Sequence, residues 1–171
     1  MEEEKTLLNE IAAGSYDASD RPFDFVATDA KTALICEPDE DVRTKLCRAL
    51  DSLGYQTTVA ATAREALKSM RFHLFDMVVV NENFAPSSPD RNDVLAYLET
   101  LAMATRREIF VALVSDEYRT MDNMAAFNRS VNVVINLKNI DDAGTILRGA
   151  VADNVAFYHV MKDILKKMSR I

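Results

Sequence analysis

The fold class predicted for this chain is α/β, a doubly wound parallel sheet of five strands, and three observations predict it. Short, almost wholly apolar runs alternate with stretches of helical periodicity. The helical stretches are punctuated by acidic starts, a capping motif and a terminal glycine. The strand-like runs carry few polar residues, as strands covered on both faces do.

Residues 1–30 stand apart as an N-terminal extension. Glu2 to Ala13 reads as a short helix with Leu7, Leu8 and Ile11 on one side, and Ser15 to Lys31 reads as a linker rich in Asp and Ser. Within it Phe23 and Phe25 alternate with polar neighbours, a pattern open to docking as an arm. The regular pattern starts at Thr32. Ala33–Cys36 is the first strand, followed by the acidic turn Glu37-Pro38-Asp39 and a helix through Leu46, Leu50 and Leu53 that Gly54 ends. Tyr55–Ala60 is the second strand, and Thr62-Ala63-Arg64-Glu65 is a capping box that opens the second helix.

Phe75–Val80 is the most apolar strand. A long polar loop follows, from Asn81 to Arg91, and Asn92 or Asp93 caps a helix with Val94, Leu95, Leu98 and Leu101. Ile109–Val114 is a fourth strand, residues 119–129 a fourth helix, Val131–Ile135 a fifth strand, and a long helix runs from about Asp141. Strand–helix alternation of this kind implies right-handed crossovers and a parallel sheet.

Composition narrows the function classes. A hydrophobic share of 49% with 27% charged residues is globular composition, and no apolar run approaches the ~18 residues of a membrane span. The net charge of −7 argues against nucleic acid, because phosphate binding draws on a Lys/Arg surface. The basic tail Lys162, Lys166, Lys167 and Arg170 is better read as cations at a helix C-terminus. Cys36 and Cys47 match neither a disulfide framework nor a zinc spacing, so free thiols in a cytoplasmic protein are expected. His73 and His159 have no metal-ligand spacing and read as packing or surface residues. No glycine-rich phosphate loop is present. No cofactor and no metal are expected.

In open parallel sheets, functional groups gather at the carboxyl ends of the strands. After the first strand stand Glu37, Pro38 and Asp39; the third ends at Asn81, the fourth at Ser115, and Lys138 lies just past the fifth. The segments ALICEPDEDVRTKLCRALDSLGY, FDMVVVNENF, IFVALVSDE and VNVVINLKN, in this order, resemble the response-regulator receiver (CheY-like) family across about residues 32–150. The resemblance implies the flavodoxin/CheY-like strand order 2-1-3-4-5 for a receiver-like unit over residues 31–150. Residues 151–171 are then an extension of the last helix.

The resemblance also implies roles. Receivers use an acidic pair after the first strand to bind Mg²⁺, and an aspartate ending the third strand to accept a phosphoryl group. A Ser or Thr after the fourth strand and a Lys after the fifth contact the phosphoryl oxygens. Carried over by position, the acidic pair falls on Glu37 and Pro38 with Asp39 adjacent, the acceptor on Asn81, the hydroxyl on Ser115 and the lysine on Lys138. The aromatic switch position falls on Ile135, and Asn139 stands where a proline usually follows the lysine.

The departures point to a degenerate pseudo-receiver that is not an enzyme. A neutral carboxamide at position 81 is no nucleophile towards phosphorus. Pro38 offers magnesium no side-chain oxygen, and Asn81 only a neutral one. Two readings stay open for Lys138: an ion pair with Glu37, or simple solvation. The expected function is a phosphorylation-independent, protein-binding signalling module. The rivals are an atypical receiver phosphorylated on another acid, such as Asp39 or Glu82, and a sensor of a small ligand in the vacated acidic pocket. The stripe Val151, Val155, Tyr158, Met161, Leu165 and Met168 outruns what one domain needs, so it predicts burial against a second subunit or a partner protein. The loop Asn83–Asn92 is a further candidate contact surface.

Overall fold

The computed structural model describes residues 30–85 and 91–169. The expected Glu2–Ala13 helix, the Phe23/Phe25 arm and positions 86–90 of the long loop lie outside the described residues.

The strands are β1 (Lys31–Cys36), β2 (Tyr55–Val59), β3 (Met77–Asn81), β4 (Phe110–Ser115) and β5 (Val133–Asn136). They form one sheet in the order β2-β1-β3-β4-β5, all pairs parallel, as the sequence pattern implies. Every residue of β3, β4 and β5 is buried, whereas β2, at an edge, buries only Tyr55 fully. That contrast explains why β2 tolerates Gln56, Thr57 and Thr58.

The helices are α1 (Glu40–Ser52), α2 (Ala63–Phe72), α3 (Asp93–Thr100), the single turn α4 (Met103–Arg106), α5 (Asn123–Asn128) and α6 (Ala143–Ser169). A 3-10 turn, Leu137–Asp142, joins β5 to α6. The alternation of side chains along each strand separates two apolar layers. Leu34, Val78, Val80, Val111, Leu113 and Val134 meet α2, α3 and α5 through Ala66, Leu98 and Ala125. Ile35, Val79, Ala112, Val114 and Ile135 meet α1 and the start of α6 through Leu46, Leu50 and Leu147.

Helix starts follow local chemistry. Asp39 Oδ1 accepts from the Val42 amide at the start of α1, and Gly54 follows that helix at φ +83°, a region open to glycine. Thr62 caps α2 by accepting from the Glu65 amide. The reciprocal half of the capping box lands one residue early: Glu65 accepts from the Ala61 amide at 2.9 Å rather than from Thr62. Asn92, not Asp93, caps α3.

The expectation of a fourth helix over residues 119–129 is corrected: it spans only Asn123–Asn128 and is capped by Asp122, and Asp116 and Glu117 sit in the loop before it. The reason is Ser115, whose hydroxyl accepts from the Glu117 and Tyr118 amides and holds them in a turn. Asn136 then ties that turn to β5 by donating to the Asp116 and Tyr118 carbonyls.

Only the first third of α6 is part of the core. Leu147 is fully buried, while Val160 is 66% exposed. Leu147→Ala should therefore destabilise the domain by about 2–5 kcal/mol. Val160→Ala should stay within about 0.5 kcal/mol of the parent. Urea unfolding midpoints of the two variants check the contrast.

Candidate functional site at the carboxyl ends of the strands

Strand register builds the site. Cys36 pairs with Val80, so one step further Glu37 lies beside Asn81. Asn81 pairs with Val114, and one step on Glu82 meets Ser115. Ser115 pairs with Asn136. Glu37, Asn81, Ser115 and Asn136 are all buried polar residues, an unusual concentration at one end of an apolar sheet.

The centre is a single hydrogen bond. Asn81 Nδ2 donates to Glu37 Oε2 at 2.8 Å, and Glu37 Oε1 accepts from the Asp39 amide at 3.0 Å. Asn81 Oδ1 accepts from the Asn83 amide at 2.8 Å. Burial pushes the Glu37 carboxyl above the ordinary carboxylate range, while the bonds from Asn81 and Asp39 pull it back. Asn92 Nδ2 donates to the carbonyls of Asn81 and Glu82, which seals the end of β3 against the start of α3.

Beside this pair sits a residue that the sequence reading weighed only as an alternative acid. Glu82 Oε1 accepts from the Ser115 hydroxyl at 2.6 Å and from the Asp116 amide at 3.3 Å. Desolvation raises the Glu82 carboxyl above its usual range, and the Ser115 bond opposes the rise. The hydroxyl carried over as a phosphoryl contact is thus already engaged by a carboxylate of this chain.

Lys138 lies two residues past the end of β5 and is exposed. Among the described residues no ion pair joins it to Glu37, whose two oxygens are taken by Asn81 and Asp39; solvation is the arrangement observed. The residue opposite Ser115 is Asn136, which the sequence reading did not single out. Ile135, assigned the switch position, is fully buried in the apolar layer that also holds Leu46, Ile140 and Leu147. Asp39 is a helix cap, not part of a carboxylate cluster. Cys36 is fully buried and its thiol is pushed far up by desolvation, as fits a core residue.

The residues present do not fit a magnesium ion. A hard cation needs several free oxygens, yet an amide N–H points at Glu37 where a cation would have to stand. Asn81 Oδ1 is spent on a backbone amide, and Pro38 contributes no side-chain donor. Among the described residues no group of three or more His, Cys, Asp or Glu side chains is arranged to hold a metal.

Several solved receiver domains share this architecture. The signal receiver domain of an HD domain-containing protein from Pseudomonas fluorescens superposes with a TM-score of 0.56 at 18% identity, covering 74% of this chain and 98% of that one. A CheY-like receiver from Methanospirillum hungatei matches at TM-score 0.53 and 21% identity, covering 73% and 96%. Another from Methylobacillus flagellatus matches at 0.53 and 20%, covering 71% and 98%. The chain has the receiver fold. No protein-family model matches the sequence, and no curated protein matches it.

The geometry of this receiver-like site makes Asn81→Asp a sharp probe. The variant swaps a donor for a second carboxylate 2.8 Å from Glu37, losing a buried bond and adding like-charge repulsion. It should cost about 1–3 kcal/mol at neutral pH. Both carboxyl groups would have folded pKa values raised above their unfolded ones, so their neutral forms favour the folded state. The deficit should therefore shrink as pH falls through the carboxylate range. Urea unfolding of both proteins at neutral pH and in mild acid reads the sign.

Proposed function

We propose that this chain is a phosphorylation-independent signalling module, a pseudo-receiver that acts by binding other proteins and carries no enzymatic activity. The observation that carries the reading is the Asn81–Glu37 hydrogen bond. A carboxamide at the tip of the central strand has no anionic oxygen to attack phosphorus, and its N–H takes the place at Glu37 that a cation would need. The Glu82–Ser115 bond supports it further, because the hydroxyl expected to meet a phosphoryl oxygen already donates to a carboxylate.

Glu82 is also what favours the second reading, an atypical receiver phosphorylated on another acid. It is half-buried, anionic when ionised, and next to a hydroxyl donor. Incubation with acetyl phosphate and Mg²⁺, read by intact mass, separates the two. No added phosphoryl group is the expected result. A phosphoryl group retained by Asn81→Ala and lost in Glu82→Gln would overturn the first reading in favour of the second.

For the binding surface, the distal part of α6 is the strongest candidate. Of the expected stripe, Val155, Leu165 and Met168 are exposed, whereas Val151, Tyr158 and Met161 are half-buried against the domain. Met161 accepts a hydrogen bond from Arg107, and Lys162 bonds Glu108, two contacts between the helix and the edge of the domain. Phe157, Val160 and Ile164 add an exposed apolar flank that the stripe did not include. Apolar side chains repeated on an open helix face are stabilised by pairing with a like face, so a homodimer through α6 is our assignment. No helix among the described residues is long and apolar enough to cross a membrane. The reading places the protein in the cytoplasm with protein partners and without nucleic acid. Light scattering should report a dimer for the parent and a monomer for Ile164→Asp/Leu165→Asp; monomers in both would defeat the assignment.

A further inference from the structure

The opposite end of the sheet holds a cavity of about 330 Å³ between the end of α2 and α3, lined chiefly by Met70, Leu74, Tyr97, Leu101 and Ile109. Its size lies in the range of ligand pockets, and its walls are mostly apolar. Leu74 on the rim is 54% exposed and Phe72 36%, two large apolar side chains at the surface beside the cavity.

The position of the cavity names its occupant. His73 belongs to the lining, and its Nε2 lies 2.8 Å from the Thr32 hydroxyl. Asp76 accepts from the Thr32 amide at 2.8 Å. The start of β1 is thus clamped against the mouth of the cavity, and the preceding chain leaves from Lys31 at that point. Phe25 is six residues from Lys31 and Phe23 eight, a reach of roughly 20–27 Å when extended.

Charge points the same way. α2 carries Arg64, Lys68 and Arg71 at spacings of four and three, which places them on one flank of the helix. The segment 17–29 interleaves its aromatic residues with Asp17, Asp20, Asp24 and Asp29. We propose that the cavity at the amino ends of β1 and β3 receives the chain's own Phe23–Phe25 segment, its aspartates facing the basic flank of α2. An aromatic ring is the kind of side chain that gains most from such a pocket. The N-terminal extension is then anchored at the end of the sheet remote from Asn81, which leaves the Glu37–Asn81 end and the distal part of α6 uncovered.

Hydrogen exchange on the full chain tests this. In the parent, amides of residues 70–76 should be protected; in Phe23→Ala/Phe25→Ala they should exchange roughly ten-fold faster. Amides of Val111–Val114 in β4 should be unchanged, which controls for loss of fold. Leu74→Asp, which polarises the rim without touching the segment, should accelerate the same amides. Asp20→Lys/Asp24→Lys should do so too if the charges pair as stated. Equal exchange of residues 70–76 in the parent and in Phe23→Ala/Phe25→Ala overturns the proposal, and an unaffected Asp20→Lys/Asp24→Lys overturns its electrostatic part.

Discussion

One hydrogen bond, from the Asn81 carboxamide to the buried Glu37 carboxylate, organises the end of the sheet where receivers carry out their chemistry. A carboxylate held out of water must find a donor or a cation. Here the donor is built into the chain, and its consequences spread through covalent neighbours. With one Glu37 oxygen fixed by Asn81, the other holds the Asp39 amide, and Asp39 in turn caps α1. On the other strand, the Asn81 carbonyl takes an N–H from Asn92, whose own carbonyl oxygen caps α3 by accepting from Val94 and Leu95. The starts of two helices and the ends of two strands therefore share one polar framework. Removing its central donor would leave several buried groups unpaired at once, which is where polar networks are costliest to break.

A second polar system lies alongside the first. Glu82, Ser115, the turn 116–118 and Asn136 connect the ends of β3, β4 and β5 in a closed chain of hydrogen bonds. Thr120 extends it, accepting from the Asn136 amide and donating to Asn139. Among the described residues no buried side-chain nitrogen or oxygen lacks a partner. A ligand at Glu37, Asn81 or Ser115 would first have to displace an existing bond.

The sequence made the sheet legible because strand and helix periods are local properties. Ala33–Cys36, Met77–Val80 and Phe110–Val114 are apolar without interruption, and that pattern has few architectures to choose from. Asn81 was legible as well, since its place at the tip of the third strand follows from counting along that strand. Glu82 was harder: two adjacent polar residues at a strand end give no sign which will face β1 and which β4, and only the register decides. Asn136 was hidden for the same reason, its importance arising from alignment with Ser115 across strands far apart in sequence. Lys138 was legible as a lysine just past the fifth strand, but the partners of Glu37 were not, because they depend on the register between strands. The short fourth helix was over-extended because a Ser-bonded turn and a helix start share the same acidic composition.

The C-terminal helix shows the remaining limit of periodicity. A stripe at spacings of three and four identifies a face but not what covers it. Along α6 the cover changes: Ala143, Leu147 and Ala150 lie under the sheet, Tyr158 and Met161 are half-covered by the domain's edge, and Leu165 and Met168 have passed beyond it. A helix that rotates 100° per residue also drifts relative to any straight neighbour, so the side chains at its outer end need not continue the stripe at its root. Phe157, Val160 and Ile164, each one residue before a stripe position, form the flank beside it. The core-facing part of α6 answers to the fold. Among the described residues the outer part leaves Leu165 and Met168 largely exposed, and polar residues would satisfy solvent at lower cost than aromatic and branched ones. That apolar flank is what the proposed protein contact rests on, while the strand-end carboxylates of the same protein are already bonded to internal partners.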